Sequence, residues 1–370
     1  MNDIIINELF MKKAINIARK ATRAVIPNPK VGAIIVKDGK IISSGYHQKA
    51  GDPHAEINAL KKAGVDAKGS TLYVTLEPCS TFGKTPPCVN EVIKAGIGKV
   101  VIGSLDPNPL NHKKSIEILN NNGIEVITGI LQDKCNELIE DFRKYINTGL
   151  PFVIAKVAQS ADGKISTADG DSKWISNEQS RKKVQIIRSN VDAIMVGVNT
   201  VIKDNPHLTL RIKNSIYQPW RIVIDPDLII PDNSNVTNDS YLEKTVIITR
   251  DINTKQDKSY KLADKGIKVL GIESESDKFS SESILLSIAK FPILSILLEG
   301  GHTTLGRFLD DKAIDKIHLF IAPIIIGDKY APSSFCGDGV KLIKDAIKLD
   351  KSTWKKYNND MLLTGYPIYK

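Results

Sequence analysis

Apolar positions along this chain recur with two periods, helical and strand-like, in regular alternation. Residues 8–24 repeat apolar side chains at helical spacing, while 32–36 and 41–45 are short apolar runs bounded by turn residues. Residues 55–63 are good helix formers that begin after Pro53 and stop at Gly64. The β-branched run 71–76 predicts a buried strand. Pro87 suits the first position of a helix over 88–95, which Gly96 closes. Strand and helix signals continue through 99–102, 113–121 and 125–128, and 134–145 reads as a helix. The Gly149 and Pro151 that follow are turn signals and mark a boundary. Beyond it, strands are predicted at 152–158, 193–196, 221–224, 245–249, 293–298 and 316–322, whereas 253–283 is polar and reads as loop-rich. The pattern predicts two α/β domains, 1–147 and 151–370, each built on a layered sheet.

Length agrees, since 370 residues exceed one usual domain. There is no apolar run of roughly 18 residues, so no membrane span is expected. The first residues lack a basic stretch followed by an apolar one, so no signal peptide is expected. Four cysteines without a disulfide-like pattern point to a reducing, cytoplasmic setting. The net charge of +9 is spread over lysines interleaved with acids, as in 255–268, with no arginine stripe. That pattern argues against nucleic acid and suits an anionic small substrate.

The candidate chemistry sits in His54-Ala55-Glu56, Pro78-Cys79 and Pro87-Cys88. One imidazole and two thiolates make a three-ligand zinc set that leaves a fourth position for water, the mark of a catalytic site. Such a water is acidified to a pKa of roughly 7. Glu56, two residues after His54, is not needed as a ligand and is placed to carry that water's proton. A structural zinc would want a fourth protein ligand; no further cysteine is close in sequence, and His47 is the spare candidate. Cys135 and Cys336 have no ligand-type neighbours and are expected to be buried small apolar residues.

Residues 27–109 resemble the cytidine-deaminase superfamily on these motifs. Nucleoside and tRNA deaminases generally carry Cys-x-x-Cys, as an editing enzyme acting on tRNA would. Here eight residues separate Cys79 from Cys88 and include Gly83-Lys84-Thr85-Pro86-Pro87. With that loop the chain more narrowly resembles the bifunctional riboflavin-biosynthesis deaminase–reductases, and the likeness continues over nearly its whole length. It implies a cytidine-deaminase-like three-layer α/β domain followed by a dihydrofolate-reductase-like domain. It implies that Asn28, His47, Asp106 and Asn108 hold the pyrimidine and ribose, and that Lys84 contacts phosphate. By themselves Asp106-Pro107-Asn108-Pro109 read equally as an Asx–Pro turn. Thr81 departs from the histidine that many members carry there, which puts loop contacts to substrate in question.

The second domain signals more weakly. Glu299-Gly300-Gly301-His302 follows an apolar strand and opens a helix, and reads as a strand–helix turn as readily as an anion site. The resemblance implies NADPH contacts at Ala158, Trp174, Thr200 and Asp204. It implies further NADPH contacts along the turn Gly301, His302, Thr303, Thr304, Leu305, Gly306 and Arg307. Substrate contacts are implied at Ser172, Arg188, Leu208, Arg211 and Glu299. Arg188 and Arg211 suit a fork for a 5′-phosphate. The implied reactions are zinc-dependent deamination of a diamino-ribosylaminopyrimidinone 5′-phosphate, then NADPH-dependent reduction of its ribosyl group to ribityl. A homo-oligomer is expected; a non-catalytic binding role for the second domain stays open at this level.

Overall fold

Five apolar runs in the first part of the chain pair into one sheet. The computed structural model describes residues 3–369 except 83–85, 214, 216 and 274–278, so Lys84 lies outside the described residues. The chain divides into two compact units, Met1–Gly149 and Leu150–Lys370.

In the first unit β1 (Gly32–Lys37) and β2 (Lys40–Tyr46) form a hairpin. β3 (Thr71–Leu76) runs antiparallel to β1, and β4 (Lys99–Ser104) and β5 (Glu125–Thr128) continue parallel to it. The order is β2-β1-β3-β4-β5. Alternation along the strands supplies both faces. Ala33, Ile35, Leu72 and Val74 meet Ala59 and Val92 of the helices Ala55–Ala63 and Cys88–Lys94. Ile34, Tyr73 and Val101 meet Met11 and Ala14 of the helix Asp3–Ala18. The result is helices on both faces of a sheet, the three-layer arrangement expected. At Gly45 a Cβ would run into the Ala55 carbonyl and the Ala59 amide, so this glycine lets the helix Ala55–Ala63 lie directly on β2. That contact sets the height of His54 and Glu56 above the sheet.

The second unit carries a nine-stranded sheet. Its strands are β6 (Phe152–Ser160), β7 (Ala193–Gly197), β8 (Trp220–Ile224), β9 (Thr245–Arg250) and β10 (Lys268–Ile272). They are followed by β11 (Ser295–Leu298), β12 (Lys316–Ala322), β13 (Lys348–Tyr357) and β14 (Asp360–Ile368). The order is β10-β9-β8-β7-β11-β6-β12-β14-β13. β10 through β12 pair in parallel, and the β13–β14 hairpin adds antiparallel to β12. Ala155, Met195, Ile222, Ile296 and Leu298 form the centre of its largest core.

Several boundaries differ from the sequence reading. The first helix starts at Asp3 and ends at Ala18, and only a short turn, Arg23–Val25, follows. The stretch 134–145 is two helices, Gln132–Leu138 and Glu140–Thr148, parted where Ile139 leaves helical backbone (φ −126°). The region 253–283, read as loop-rich, holds the helix Asp257–Asp264 and β10. Pro87 caps the helix Cys88–Lys94 instead of opening it. Cys135 is buried as expected, but Cys336 is exposed. No helix among the described residues is long and apolar enough to cross a membrane.

Candidate active sites

Three element ends deliver the metal-type side chains in the first unit. His54 caps the helix Ala55–Ala63, Cys79 follows β3, and Cys88 opens the helix Cys88–Lys94. Their ligand atoms all lie within 4.8 Å of one another. His54 Nδ1 is 3.2 Å from Cys88 Sγ and 3.6 Å from Cys79 Sγ, and the Cys88 amide donates to Cys79 Sγ at 3.3 Å. The Cys88 thiol, then His54, donates to Cys79 and, against the effect of burial, brings its thiol down to about 4. Two sulfurs and an imidazole closing on one point fit zinc in number and softness. Glu56 is only 3% exposed, and burial pushes its carboxyl up to about 7 although His54 opposes the shift.

His54, Glu56 and Cys79 open on a cavity of about 330 Å³ that is also lined by Asn28, His47, Asp106 and Asn108. The structure therefore brings together four of the five substrate residues implied by the resemblance. Asn28 Nδ2 lies 3.0 Å from His47 Nε2, and His47 Nδ1 lies 3.3 Å from the Pro53 carbonyl oxygen. One tautomer satisfies both contacts, with Nδ1–H donating to Pro53 and Nε2 accepting from Asn28. Burial lowers the His47 pKa, with the His54 charge adding to it and the Pro53 bond opposing, which favours that neutral ring. Asp106 Oδ1 accepts from the Asn108 amide (2.8 Å), and Asn108 Oδ1 accepts from the Leu110 amide (3.0 Å). Both residues thus make Asx turns while lining the cavity, so the turn geometry leaves them at the cavity wall.

Sequence reasoning missed the residues that hold these in place. The buried Glu77 accepts from the amides of Asp106 (3.2 Å) and Lys113 (3.1 Å) and from the Ser115 hydroxyl (2.9 Å). Asn111 donates to Asp106 Oδ2 at 3.0 Å, and its Oδ1 accepts from the Ser80 amide (3.1 Å) and the Thr81 hydroxyl (3.0 Å). Thr81 therefore ties down the loop after Cys79. Glu77, a buried-strand end next to Pro78-Cys79, carried a usable signal; Asn111 carried none.

The second unit has a cavity of about 490 Å³. Thr200, Asp204 and Ser172 line it, as do Gly301 to Thr304 and Arg307. Gly301 has φ +56° and caps the helix His302–Asp310, so the turn aims helix N-terminal amides at the cavity. A Cβ on Gly300 would meet Val196 and the Thr200 hydroxyl. Leu305 and Gly306 do not line the cavity. Leu305 is buried in the core, and a Cβ on Gly306 would meet the Cys336 carbonyl, so both seat the turn. Ala158 and Trp174 are also outside the lining; Trp174 is 67% exposed, with the Arg181 guanidinium 4.6 Å from its ring centre.

Arg188, Leu208, Arg211 and Glu299 lie apart from that lining, unlike Ser172. The expected phosphate fork is already engaged in this structure. Arg188 donates from Nε (2.6 Å) and NH2 (2.9 Å) to the Glu299 carboxylate and from NH1 to the Thr209 carbonyl (3.0 Å). Lys156 adds a second cation 3.6 Å from Glu299. Burial alone would raise the Glu299 pKa, but Arg188 and then Lys156 outweigh it and hold the carboxyl at about 2. The Arg211 side chain is exposed, its amide donating to Gln185 Oε1 (2.8 Å), and Leu208 is buried at φ +52°.

Each unit has a counterpart among known proteins. Residues 5–104 match the cytidine and deoxycytidylate deaminase zinc-binding region, and residues 151–363 match the RibD C-terminal domain. The riboflavin biosynthesis protein RibD of Aquifex aeolicus is 44% identical over 359 residues, covering 97% of this chain and 98% of that one. Its counterpart in Bacillus amyloliquefaciens is 40% identical over 360 residues, with 97% and 96% covered. The solved structure of Acinetobacter baumannii RibD superposes with a TM-score of 0.86 at 34% identity, covering 99% of both chains. A deaminase/reductase structure from Thermotoga maritima gives 0.85 at 35% identity, covering 99% of this chain and 100% of that one. With the histidine–dicysteine cluster beside a buried glutamate in one unit and a glycine-turn cavity in the other, the chain belongs to the RibD family of riboflavin biosynthesis, which joins a zinc-dependent deaminase to an NADPH-dependent reductase.

Proposed function

We propose that residues 1–147 hydrolytically deaminate a diamino-ribosylaminopyrimidinone 5′-phosphate and that residues 151–370 reduce the ribosyl group of the product to ribityl. The observation that carries this reading is the His54, Cys79 and Cys88 cluster, with His54, Cys79 and the buried Glu56 opening on one cavity, in a chain whose second unit holds a glycine-turn cavity. His54, Cys79 and Cys88 would hold zinc, which would supply a water made nucleophilic at neutral pH. Glu56, buried beside the ligands, would take one proton of the attacking water to a ring nitrogen and pass the second, from the new C–OH, to the amine that departs as ammonia. Asn28 and Asp106 orient the heterocycle, with His47 fixing the Asn28 amide, and Lys84 is assigned to phosphate on the resemblance.

In the second unit the amides of Gly301 to Thr304 would suit the phosphates of NADPH, and Thr200 and Asp204, which line the same cavity, would add further contacts to it. Ala158 and Trp174 are assigned to NADPH contacts on the resemblance. Glu299 and Arg188 meet the substrate ribose and phosphate with Ser172, Leu208 and Arg211. NADPH, when bound, would supply two electrons as hydride to the sugar C1′, with the balancing proton from water. The partner is thus a phosphorylated pyrimidine and not a nucleic acid, in a cytoplasmic homo-oligomer.

The test is NADPH oxidation on the diaminopyrimidinone ribotide, with and without a zinc chelator. Oxidation that needs both substrate and zinc is expected. Oxidation indifferent to the chelator would mean that reduction does not depend on deamination. Ammonia release without oxidation would remove the reductase assignment.

A further inference from the structure

The deaminase cavity has a wall contributed by a helix well outside the zinc-binding region. Phe142 and Ile146 both line it, and both stand on the helix Glu140–Thr148. They are four residues apart, so they share one face of that helix. The zinc-binding region match ends at residue 104, so this wall belongs to a part of the unit that the match does not include.

The helix is fastened at the cavity rim. Asp141, next to Phe142, accepts a 2.7 Å ion-pair bond from Arg23, whose side chain is 3% exposed. Arg23 opens the short turn Arg23–Val25, and the Val25 carbonyl accepts from the Asn28 amide at 2.8 Å. The Ala24 carbonyl accepts from the Ala50 amide at 3.0 Å, and Ala50 is itself a lining residue. One buried ion pair thus registers the aromatic wall against the segment that carries Asn28. Asn28, His47, Asp106 and Asn108 offer hydrogen bonds, Pro27, Pro29, Val31 and Leu76 add small apolar patches, and among the described lining residues Phe142 alone carries a phenyl ring. A planar heterocycle needs flat apolar area as well as edge contacts.

We infer that Phe142 and Ile146 are specificity-determining residues of the deaminase, forming the apolar wall on which the pyrimidine substrate packs, and that the Arg23–Asp141 pair positions them. This rests on the deaminase reading above. Neither side chain has a group that moves a proton, so the wall acts on binding, and its loss raises KM while the chemical step proceeds.

The test uses the full chain with zinc bound, in variants Phe142→Ala, Phe142→Leu and Asp141→Asn. Ammonia release from the ribotide is followed, with zinc content and reduction of supplied deaminated substrate measured in the same preparations. For Phe142→Ala we expect KM about tenfold higher with kcat within about threefold of wild type. Phe142→Leu keeps the apolar bulk and should restore KM to within about threefold. Asp141→Asn should raise KM less than Phe142→Ala and leave zinc content unchanged. An unaltered KM in Phe142→Ala overturns the inference. So does a loss confined to kcat, or one that runs parallel to loss of zinc or of reduction, because that pattern describes support of the fold. A wild-type chain that releases no ammonia defeats the deaminase reading itself, and the inference with it.

Discussion

The two units place their chemistry in different parts of the chain's material. In the first, four side chains of restricted types do the work, and three of them are the ends of elements that the sheet brings together: a helix cap, a strand exit and a helix start. In the second, the cavity is made from a glycine turn, threonines and helix N-terminal amides, and the reactive atom belongs to the cofactor. Metal chemistry needs particular residue types, so it is written in residue identity. Cofactor chemistry needs a backbone shape, which many sequences supply. Side-chain substitution should therefore be drastic in the first unit and graded in the second.

Glu56→Gln should show the drastic case. The amide fills the same buried space but cannot carry a proton, so deamination should fall by about 10²–10⁴-fold or more. Zinc content and the reduction of supplied deaminated substrate should stay at wild-type values. Ammonia release at wild-type rate would remove Glu56 from the proton path, and the sharp contrast between the units would go with it.

Glu299→Gln tests the exception in the second unit, a buried carboxylate held between two cations. Arg188 and Lys156 would be left without their shared carboxylate in a buried site. Breaking such a pair costs about 3–5 kcal/mol, to be read as an earlier denaturant midpoint for the reductase transition. The pH dependence has a definite sign. The folded-state pKa of about 2 lies below the ordinary glutamate value, so the carboxylate stabilises the fold fully above that ordinary value. Its contribution fades as pH falls toward and through about 2, and the gap between wild type and variant should close over that acid range. A gap that is constant in pH would mean the lost packing, not the charge, dominates.

The same division explains what could be read from the sequence. The span 125–128 matches β5 to the residue through its β-branched run Val126-Ile127-Thr128, although no β5 residue is buried, and 316–322 matches β12, whose apolar positions are partly buried. β13 escapes sequence reading because most of its ten residues are exposed, so Lys348–Tyr357 has no apolar alternation to read; only its pairing with β14 makes it a strand. β10 escapes it as a short parallel edge in a polar stretch. At the sites, His54, Glu56, Cys79 and Cys88 are legible from type and spacing. Phe142 and Ile146 are not, since nothing in an amphipathic helix says which face meets a cavity. Nor does the sequence show that Arg188 spends its fork on Glu299, because that depends on where β11 ends against the helix Glu178–Arg188.

A graded effect is expected at the glycine turn. Gly301→Ala forces a Cβ onto φ +56°, which costs about 1–2 kcal/mol. Relieving that strain would turn the helix N-terminal amides away from the cavity. NADPH affinity by fluorescence titration should weaken about tenfold, equivalent to about 1.4 kcal/mol, with deamination unchanged. Unaltered NADPH binding would show that the turn tolerates another shape, and would weaken the view that backbone geometry carries the second site.

The smallest effect should come from Cys336→Ser, and it separates residue type from residue place. Cys336 is exposed, whereas Cys88 is fully buried among metal-type neighbours. What the Cys336 position contributes is main chain: its amide donates to the His302 carbonyl at 3.1 Å, and its carbonyl occupies the space that a Cβ on Gly306 would need. Serine keeps both main-chain groups, so stability should change by no more than about 0.5 kcal/mol, with NADPH affinity intact. Gly306→Ala, which leaves Cys336 in place but collides with its carbonyl, should weaken both. If Cys336→Ser instead impaired cofactor binding while Gly306→Ala did not, a side chain and not the backbone would be holding the turn, and the distinction drawn between the two units would fail at the site where it is most explicit.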